Sequence, residues 1–292
     1  MKKRIKSMTS AAILTVCLGL SAWSGWELIS MCRDYGRVEE DLEKIRQLSS
    51  TLEENGAEKE EQPGWNSGQN GSHAGKAQPS EGESGQENEK DASRSLRLAR
   101  CLKSLEANSD TVGWISIEGT AVEYPVMQTP EEPDFYLNHG FDRQPSAGGM
   151  IFMDADCRPN GGNNSILYGH HMKNGTMFGS LSDFQQDENL AEQSPYFYIY
   201  TEDTAMRYQI IAYYTTTGDS NTYSLVHTDE EYDAWLQWIF RNNQFAGYEE
   251  EMTAERPGIV TLSTCYGRAG GTERFVVHGV LSAEKEMEQI GK

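Results

Sequence analysis

No CxxC pair occurs in the 292 residues, so the common zinc and thioredoxin patterns are absent. Cysteine itself is sparse: five in all, an odd number at wide spacings, which excludes a full disulfide framework for a chain of this length. Basic side chains are outnumbered, 25 Lys and Arg against 45 Asp and Glu, for a formal charge of −20. Phosphate neutralisation needs clustered Lys and Arg, so a nucleic-acid partner is excluded. Only 37% of the chain is hydrophobic, so part of it packs no core, and the length allows one large domain or two smaller ones. The apolar N-terminal stretch lacks an A-x-A-like cleavage site, and Met31 stands where a lipoprotein site before Cys32 needs a small residue. These absences favour a retained anchor over a cleaved signal peptide.

What is present at the N-terminus fits that anchor. Lys2, Lys3, Arg4 and Lys6 precede an uncharged stretch over residues 7–26, long enough to cross a hydrocarbon core of about 30 Å as a helix. The basic flank belongs on the cytoplasmic side, and Trp23 and Trp26 suit the far interface. The expected organisation is a cytoplasmic tail at 1–6, a transmembrane anchor at 7–31 and a juxtamembrane helix at 32–54. A disordered tether at 55–93, a folded domain at 94–284 and a short tail at 285–292 follow. The protein is then single-pass in the cell membrane, with the folded domain outside. In the juxtamembrane segment Val38, Leu42, Ile45, Leu48 and Leu52 recur at three- and four-residue steps, which reads as a solvated spacer helix. Residues 55–93 lose all periodicity and hold Trp65 as their only large apolar side chain, too little to offset the entropy of ordering. Residues 34–93 carry fifteen acidic and six basic side chains, a net −9, so the tether extends by self-repulsion.

From about Ser95 the pattern changes. "LRLARCLKSLEAN" spaces Leu98, Leu102 and Leu105 on one helical face, with Cys101 close to it as packing. Short apolar runs then follow at 112–117, 121–128, 149–154, 164–170, 196–200 and 206–217, read as strands. Residues 229–245 break the rhythm: Tyr232, Trp235, Leu236, Ile239 and Phe240 mark an amphipathic helix with Thr228 or Asp229 as N-cap. "GIVTLSTC" and "ERFVVHGVLSA" are the last two strands. The fold class is mainly β, about eight strands with one preceding and one inserted helix, and closure into a barrel would remove the exposed edges.

The chemistry centres on the last two strands. Alternation puts Ile259, Thr261, Ser263 and Cys265 on one face and Val260, Leu262 and Thr264 on the other. If the two strands pair antiparallel, Cys265 and Arg274 meet at one end of the sheet. A guanidinium beside a thiol favours the nucleophilic thiolate and stabilises an oxyanion. "ILYGHHMKNGTMFGSL" at 166–181 supplies an imidazole as proton shuttle. Its adjacent histidines, His170 and His171, point in opposite directions on an extended chain, one toward a site and the other toward solvent. His73, His139, His227 and His278 have no supporting pattern, and nothing predicts a partner for Cys157. Spacing alone leaves a buried filler cysteine and a surface histidine as the alternative.

"TLSTC" ending a strand, an Arg opening the next, and the upstream "YGHHMKNGTMFGSL" together resemble sortases, and class B sortases of Gram-positive bacteria in particular. "NSDTVGWISIEGTAVEYPVMQ", "DFYLNHGF" and "GGMIFMDADC" resemble the same class over residues 95–284. The resemblance implies an eight-stranded sortase-type β-barrel with its extra helix between strands 6 and 7. It implies Cys265 as nucleophile, His170 as general acid and base, and Arg274 as the group that positions substrate and supports the oxyanion. Ser263 and Tyr223 match positions lining the substrate groove, and Tyr266 joins them beside the nucleophile, where the family often has an acidic residue. The implied reaction is transpeptidation: a C-terminal sorting signal is cleaved after Thr through a Cys thioester, and the protein passes to an amine of a peptidoglycan precursor. That chemistry requires no metal or organic cofactor. Partners are then secreted proteins bearing the signal, the wall precursor, and the membrane through the N-terminal helix. Two other readings stand beside it, a Cys-His hydrolase of cell-wall peptides and a non-enzymatic anchored surface-binding barrel. Papain-like hydrolases place Cys before His and on a helix, the reverse of the order here.

Overall fold

A computed structural model describes residues 83–286 apart from 160, 161, 188, 189, 248, 249, 268 and 269, together with short stretches between 19 and 44. The expected cytoplasmic tail, residues 7–18 of the anchor and residues 45–82 of the spacer and tether lie outside the described residues. Among the described residues no helix is long and apolar enough to cross a membrane.

The first helix, α1 (Glu83–Ala107), begins inside the segment read as tether. The reason is local: residues 86–92 are mostly Gln, Glu, Lys and Ala with no proline, and extending an existing helix costs far less than nucleating one. Its buried stripe is Leu98, Cys101 and Ser104, with Leu105 half-buried; Leu102 lies off it. A single carboxylate fastens α1 to the sheet. Glu123 accepts from Arg97 Nε at 2.7 Å, Trp114 Nε1 at 2.9 Å and Ser116 Oγ at 2.7 Å.

Eight strands follow: β1 (Thr111–Ile117), β2 (Glu123–Met127), β3 (Ile151–Met153), β4 (Asn164–Gly169), β5 (Tyr196–Tyr200), β6 (Thr204–Thr217), β7 (Ile259–Cys265) and β8 (Glu273–Glu286). They close into a barrel in the order β1-β2-β3-β4-β7-β8-β6-β5. Strand β8 runs into the segment read as a tail, to Glu286, because it pairs with β6 as far as Thr204. Short helices α2 (Asp183–Gln186) and α3 (Leu190–Gln193) bridge β4 and β5.

Period-two alternation divides the side chains of β7 and β8 between two cores. Val260, Leu262, Phe275 and Val277 fill the barrel. Ile259, Val276 and Val280 face outward and are covered by α4 (Asp229–Asn242), inserted between β6 and β7, through Tyr232, Trp235 and Ile239. Thr228 caps α4 reciprocally: its hydroxyl accepts from the Glu231 amide at 3.2 Å, and Glu231 Oε2 accepts from the Thr228 amide at 3.2 Å. The helix ends before residue 245 because Asn243 Oδ1 accepts from the amides of Tyr213 and Phe245, tying the turn to β6.

The described residues of the juxtamembrane segment are exposed, as a solvated spacer requires, with one exception. Val38 is only 2% exposed and joins the barrel core cluster, and Arg37 Nη1 donates to the Pro145 carbonyl at 3.2 Å.

Candidate active site

Backbone pairing alone brings three chemical side chains to one end of the barrel. Strand β4 runs parallel to β7 with Gly169 opposite Thr264. The next residue on each strand is His170 and Cys265. Strand β8 lies on the other side of β7, antiparallel, with Arg274 opposite Cys265. Imidazole, thiol and guanidinium therefore come from three adjacent strands, the thiol in the middle. The parallel β4–β7 pair was invisible in the sequence, since the strands are far apart along the chain; the Cys265–Arg274 register was legible from their hairpin-like spacing.

Gly169 makes the close approach possible. A Cβ there would sit 2.4 Å from Ile151 Cδ1 and 2.7 Å from Phe178 Cδ2, so β4 delivers His170 only because the preceding residue has no side chain.

The thiol of Cys265 is exposed and free, whereas Cys101 and Cys157 are buried. Burial pushes the Cys101 thiol up to about 12 and the Cys157 thiol up to about 11, which removes both as nucleophiles at neutral pH. Cys101 is spent as a donor to the Tyr200 carbonyl at 3.3 Å.

His170 is held by the backbone. Its Nε2 lies 2.7 Å from the Leu137 carbonyl; a carbonyl only accepts, so Nε2 carries hydrogen and the neutral ring keeps its lone pair on Nδ1. The Leu137 carbonyl has no side-chain signature, and sequence reasoning missed it although "DFYLNHGF" was singled out. That motif builds the carbonyl's support. Tyr136 is buried; its hydroxyl donates to Asp110 at 2.8 Å and accepts from Asn108 at 2.9 Å. Phe135 stacks on His139 with centroids 4.0 Å apart, and Arg143 lies over Phe135 while pairing with Asp110.

Arg274 Nη1 donates to the carbonyls of Gly271 at 3.1 Å and Glu273 at 2.9 Å. Those bonds aim the guanidinium, and among the described residues it makes no ion pair with a carboxylate. It borders a cleft of about 450 Å³ that Cys265, His170, Leu137, Ser263 and Tyr223 also line, a volume suited to a short peptide segment.

Of the groove residues expected from the sequence, two stand in the cleft and one does not. Tyr223 and Ser263 share a hydroxyl–hydroxyl bond of 2.8 Å. Burial raises the Tyr223 phenol, with the Ser263 bond and Arg274 acting against that shift, so it stays a neutral donor and acceptor. Tyr266 is the correction: it leaves the cleft, donates to Gln185 Oε1 at 3.0 Å, and packs on Phe275 at 5.8 Å. The residue after Cys265 on an extended chain points away from the face that Cys265 uses. His171 is only partly open to solvent: half-buried, it meets the edge of Tyr266 at 6.4 Å. Tyr168 is a groove residue that was missed. It lines the cleft, stacks on Tyr223 at 6.2 Å and donates to Asp154 Oδ2 at 3.0 Å. Its place two residues before His170 on the same strand face was the available signal.

A family model described as Sortase domain matches residues 115–282. The sequence is 34% identical to the sortase B of Staphylococcus aureus over 181 residues, 60% of this chain and 72% of that protein. It is 30% identical to the sortase B of Listeria monocytogenes over 163 residues, 54% of this chain and 63% of that protein. Among solved structures, a Staphylococcus aureus sortase B–substrate complex superposes with a TM-score of 0.57 at 26% identity, covering 72% of this chain and 94% of that one. The Clostridium perfringens sortase B gives a TM-score of 0.55 at 28% identity, covering 64% and 99%.

Proposed function

This chain belongs to the sortase family, and within it to class B, the cysteine transpeptidases of cell-wall sorting; on that premise we propose how its cleft performs the reaction. The Cys265 thiolate attacks the carbonyl carbon of the Thr in a C-terminal sorting signal. The oxyanion that forms faces the Arg274 guanidinium. His170, protonated on Nδ1 by the proton that the Cys265 thiol gave up, returns that proton to the departing amine as the C–N bond breaks, leaving a thioester on Cys265. An amine of a peptidoglycan precursor then attacks the thioester, loses its proton to His170, and forms the new amide as the thiolate leaves. The Leu137 carbonyl accepts from Nε2–H throughout, so Nδ1 is the atom that takes and gives the proton.

The observation that carries this reading is the convergence of Cys265, His170 and Arg274 on one cleft from three neighbouring strands. Ser263, Tyr223 and Tyr168 form the wall that holds the signal in extended form, with Tyr223 and Ser263 hydrogen-bonding its backbone. The N-terminus is a single-pass anchor with its basic end inside and the barrel outside the cell. The exposure of Leu20, Trp23, Trp26 and Ile29 supports it, since apolar side chains left in water at three-residue steps suit lipid.

The test is intact mass spectrometry of the protein incubated with a library of candidate signal peptides, with and without triglycine. A thioester on Cys265, and an amide product when triglycine is added, is the expected result. Free acid alone in the presence of triglycine would mean a hydrolase, and no adduct with any peptide would mean that the barrel binds without catalysis.

A further inference from the structure

The segment at residues 36–40 does something that neither a spacer nor a tether would do. Val38 is inserted into the surface of the barrel at Gly148. A Cβ on Gly148 would lie 2.3 Å from Val38 Cγ2, 3.3 Å from Cγ1 and 3.4 Å from Cβ, and these are its three nearest atoms. The side chain thus occupies the space that a methyl at 148 would fill. Two polar contacts flank it: Arg37 to the Pro145 carbonyl at 3.2 Å, and Lys44 to Asp142 at 3.7 Å. The second is exposed on both sides and contributes little; the apolar insertion decides the position.

What Val38 covers is the limb 145–150, which lies against residues 136–138. The Ser146 amide donates to Asn138 and the Met150 amide to Tyr136, both at 2.9 Å. Gly149, at φ +52°, lies so close that a Cβ would stand 2.4 Å from the Tyr136 carbonyl oxygen and 2.6 Å from that of Leu137. The Leu137 oxygen is the one that holds His170. A continuous line of packed atoms therefore runs from Val38 through Gly148 and Gly149 to the Leu137 carbonyl and the imidazole.

We propose that residues 36–40, with Lys44 beyond them, form a docked strap: the chain just past the membrane anchor binds its own barrel at the 142–148 limb, and Val38 acts there as a positioning residue for His170. The catalytic domain is then held at the root of its anchor instead of ranging freely at the end of the intervening chain. The docking stands on geometry alone; its effect on His170 rests on the catalytic roles proposed above.

A size swap tests both parts in the full-length chain in lipid nanodiscs. Gly148→Ala has an ordinary backbone conformation to occupy, so its methyl conflicts with Val38 alone. Amides of 136–150 are expected to exchange hydrogen roughly tenfold faster in Gly148→Ala. Adding Val38→Ala leaves only an ordinary 3.4 Å contact and is expected to restore protection toward the starting level, a coupling that independent sites would not show. Unchanged exchange in Gly148→Ala, or no restoration in the double variant, overturns the docking. For positioning, kcat of thioester formation per titrated Cys265 thiol is expected to fall roughly three- to tenfold in Gly148→Ala with KM unchanged, and to recover in the double variant. An unchanged kcat alongside altered exchange overturns the positioning role and leaves the docking in place. Absence of thioester in the unmodified protein overturns the positioning role together with the catalytic reading, while the exchange result still decides the docking.

Discussion

Cys265 shares its chain with two other folded-domain thiols, and surroundings alone separate them. Cys101 and Cys157 are buried and held in the thiol form, while Cys265 stands at a strand end beside a guanidinium. A methanethiosulfonate reagent at neutral pH is expected to label Cys265 in the native fold and to leave Cys101 and Cys157 untouched. Peptide mapping by mass spectrometry reads this out, and equal labelling of all three would deny that burial protects them. Arg274 is tested by truncation. Its guanidinium is aimed by two carbonyls of its own loop, so Arg274→Ala is expected to slow thioester formation by about 10²–10³-fold, the usual cost of losing one oxyanion donor. Arg274→Lys restores the charge but not the planar fork that those carbonyls orient, and its rate should remain well below that of the native chain.

The elements explain why those side chains meet. Gly169 lets β4 run against Ile151 and Phe178, and Gly169→Ala is expected to displace His170 and lower the acylation rate without changing the reactivity of Cys265 toward the small thiol reagent. Helix α4 works at the other wall of the cleft. Trp235 Nε1 donates to the Thr222 carbonyl at 3.1 Å and Trp238 Nε1 to the Thr222 hydroxyl at 3.3 Å, so the inserted helix holds the turn that presents Tyr223. Trp235→Phe keeps an aromatic ring and removes the donor. The expected outcome is a severalfold rise in KM for signal peptides with kcat little changed, measured by steady-state kinetics. A hydrogen bond of this kind contributes about 1 kcal/mol, which sets the scale of the effect.

For the whole molecule, pH sensitivity is written into the wall between the two cores. His278 is fully buried, between the Thr261 hydroxyl at 3.0 Å and the Tyr214 hydroxyl at 3.1 Å, with the edge of Trp235 against its ring. Burial pushes its imidazole down to about 3 from a usual 6.5. Above pH 6.5 both folded and unfolded chains carry it neutral. Below that, the unfolded chain takes a proton that the native fold refuses until about pH 3, so stability is lost as pH falls through this window. The carboxylates held low, Asp219, Glu231 and Asp233, contribute their losses only at the acid end. Urea midpoints are therefore expected to fall between pH 6.5 and 5 in the native chain and to be flatter there in His278→Gln, whatever that variant's overall stability. Parallel slopes in the two proteins would assign the loss to other groups.

The sequence by itself determined the strands, the inserted helix and the chemical side chains, because these depend on local periodicity and residue type. The alternation of β7 placed Cys265 and Ser263 on one face, and the short span from Cys265 to Arg274 placed the guanidinium opposite the thiol. Both expectations hold in the structure. The first turns of α1 lie in a segment that reads as tether by composition, because composition describes an isolated segment, whereas a helix extends from a nucleus that tertiary contacts stabilise. Only the tertiary structure decided that β4 lies parallel to β7, that a backbone carbonyl from "DFYLNHGF" holds His170, that Tyr266 turns away from the cleft, and that Val38 fills the space beside Gly148. Each of those contacts joins residues distant in the chain, and three of them use backbone atoms or the missing side chain of a glycine. Such partners leave no periodic trace in a sequence, because what selects them is the volume and the hydrogen-bonding capacity left over once the barrel has closed.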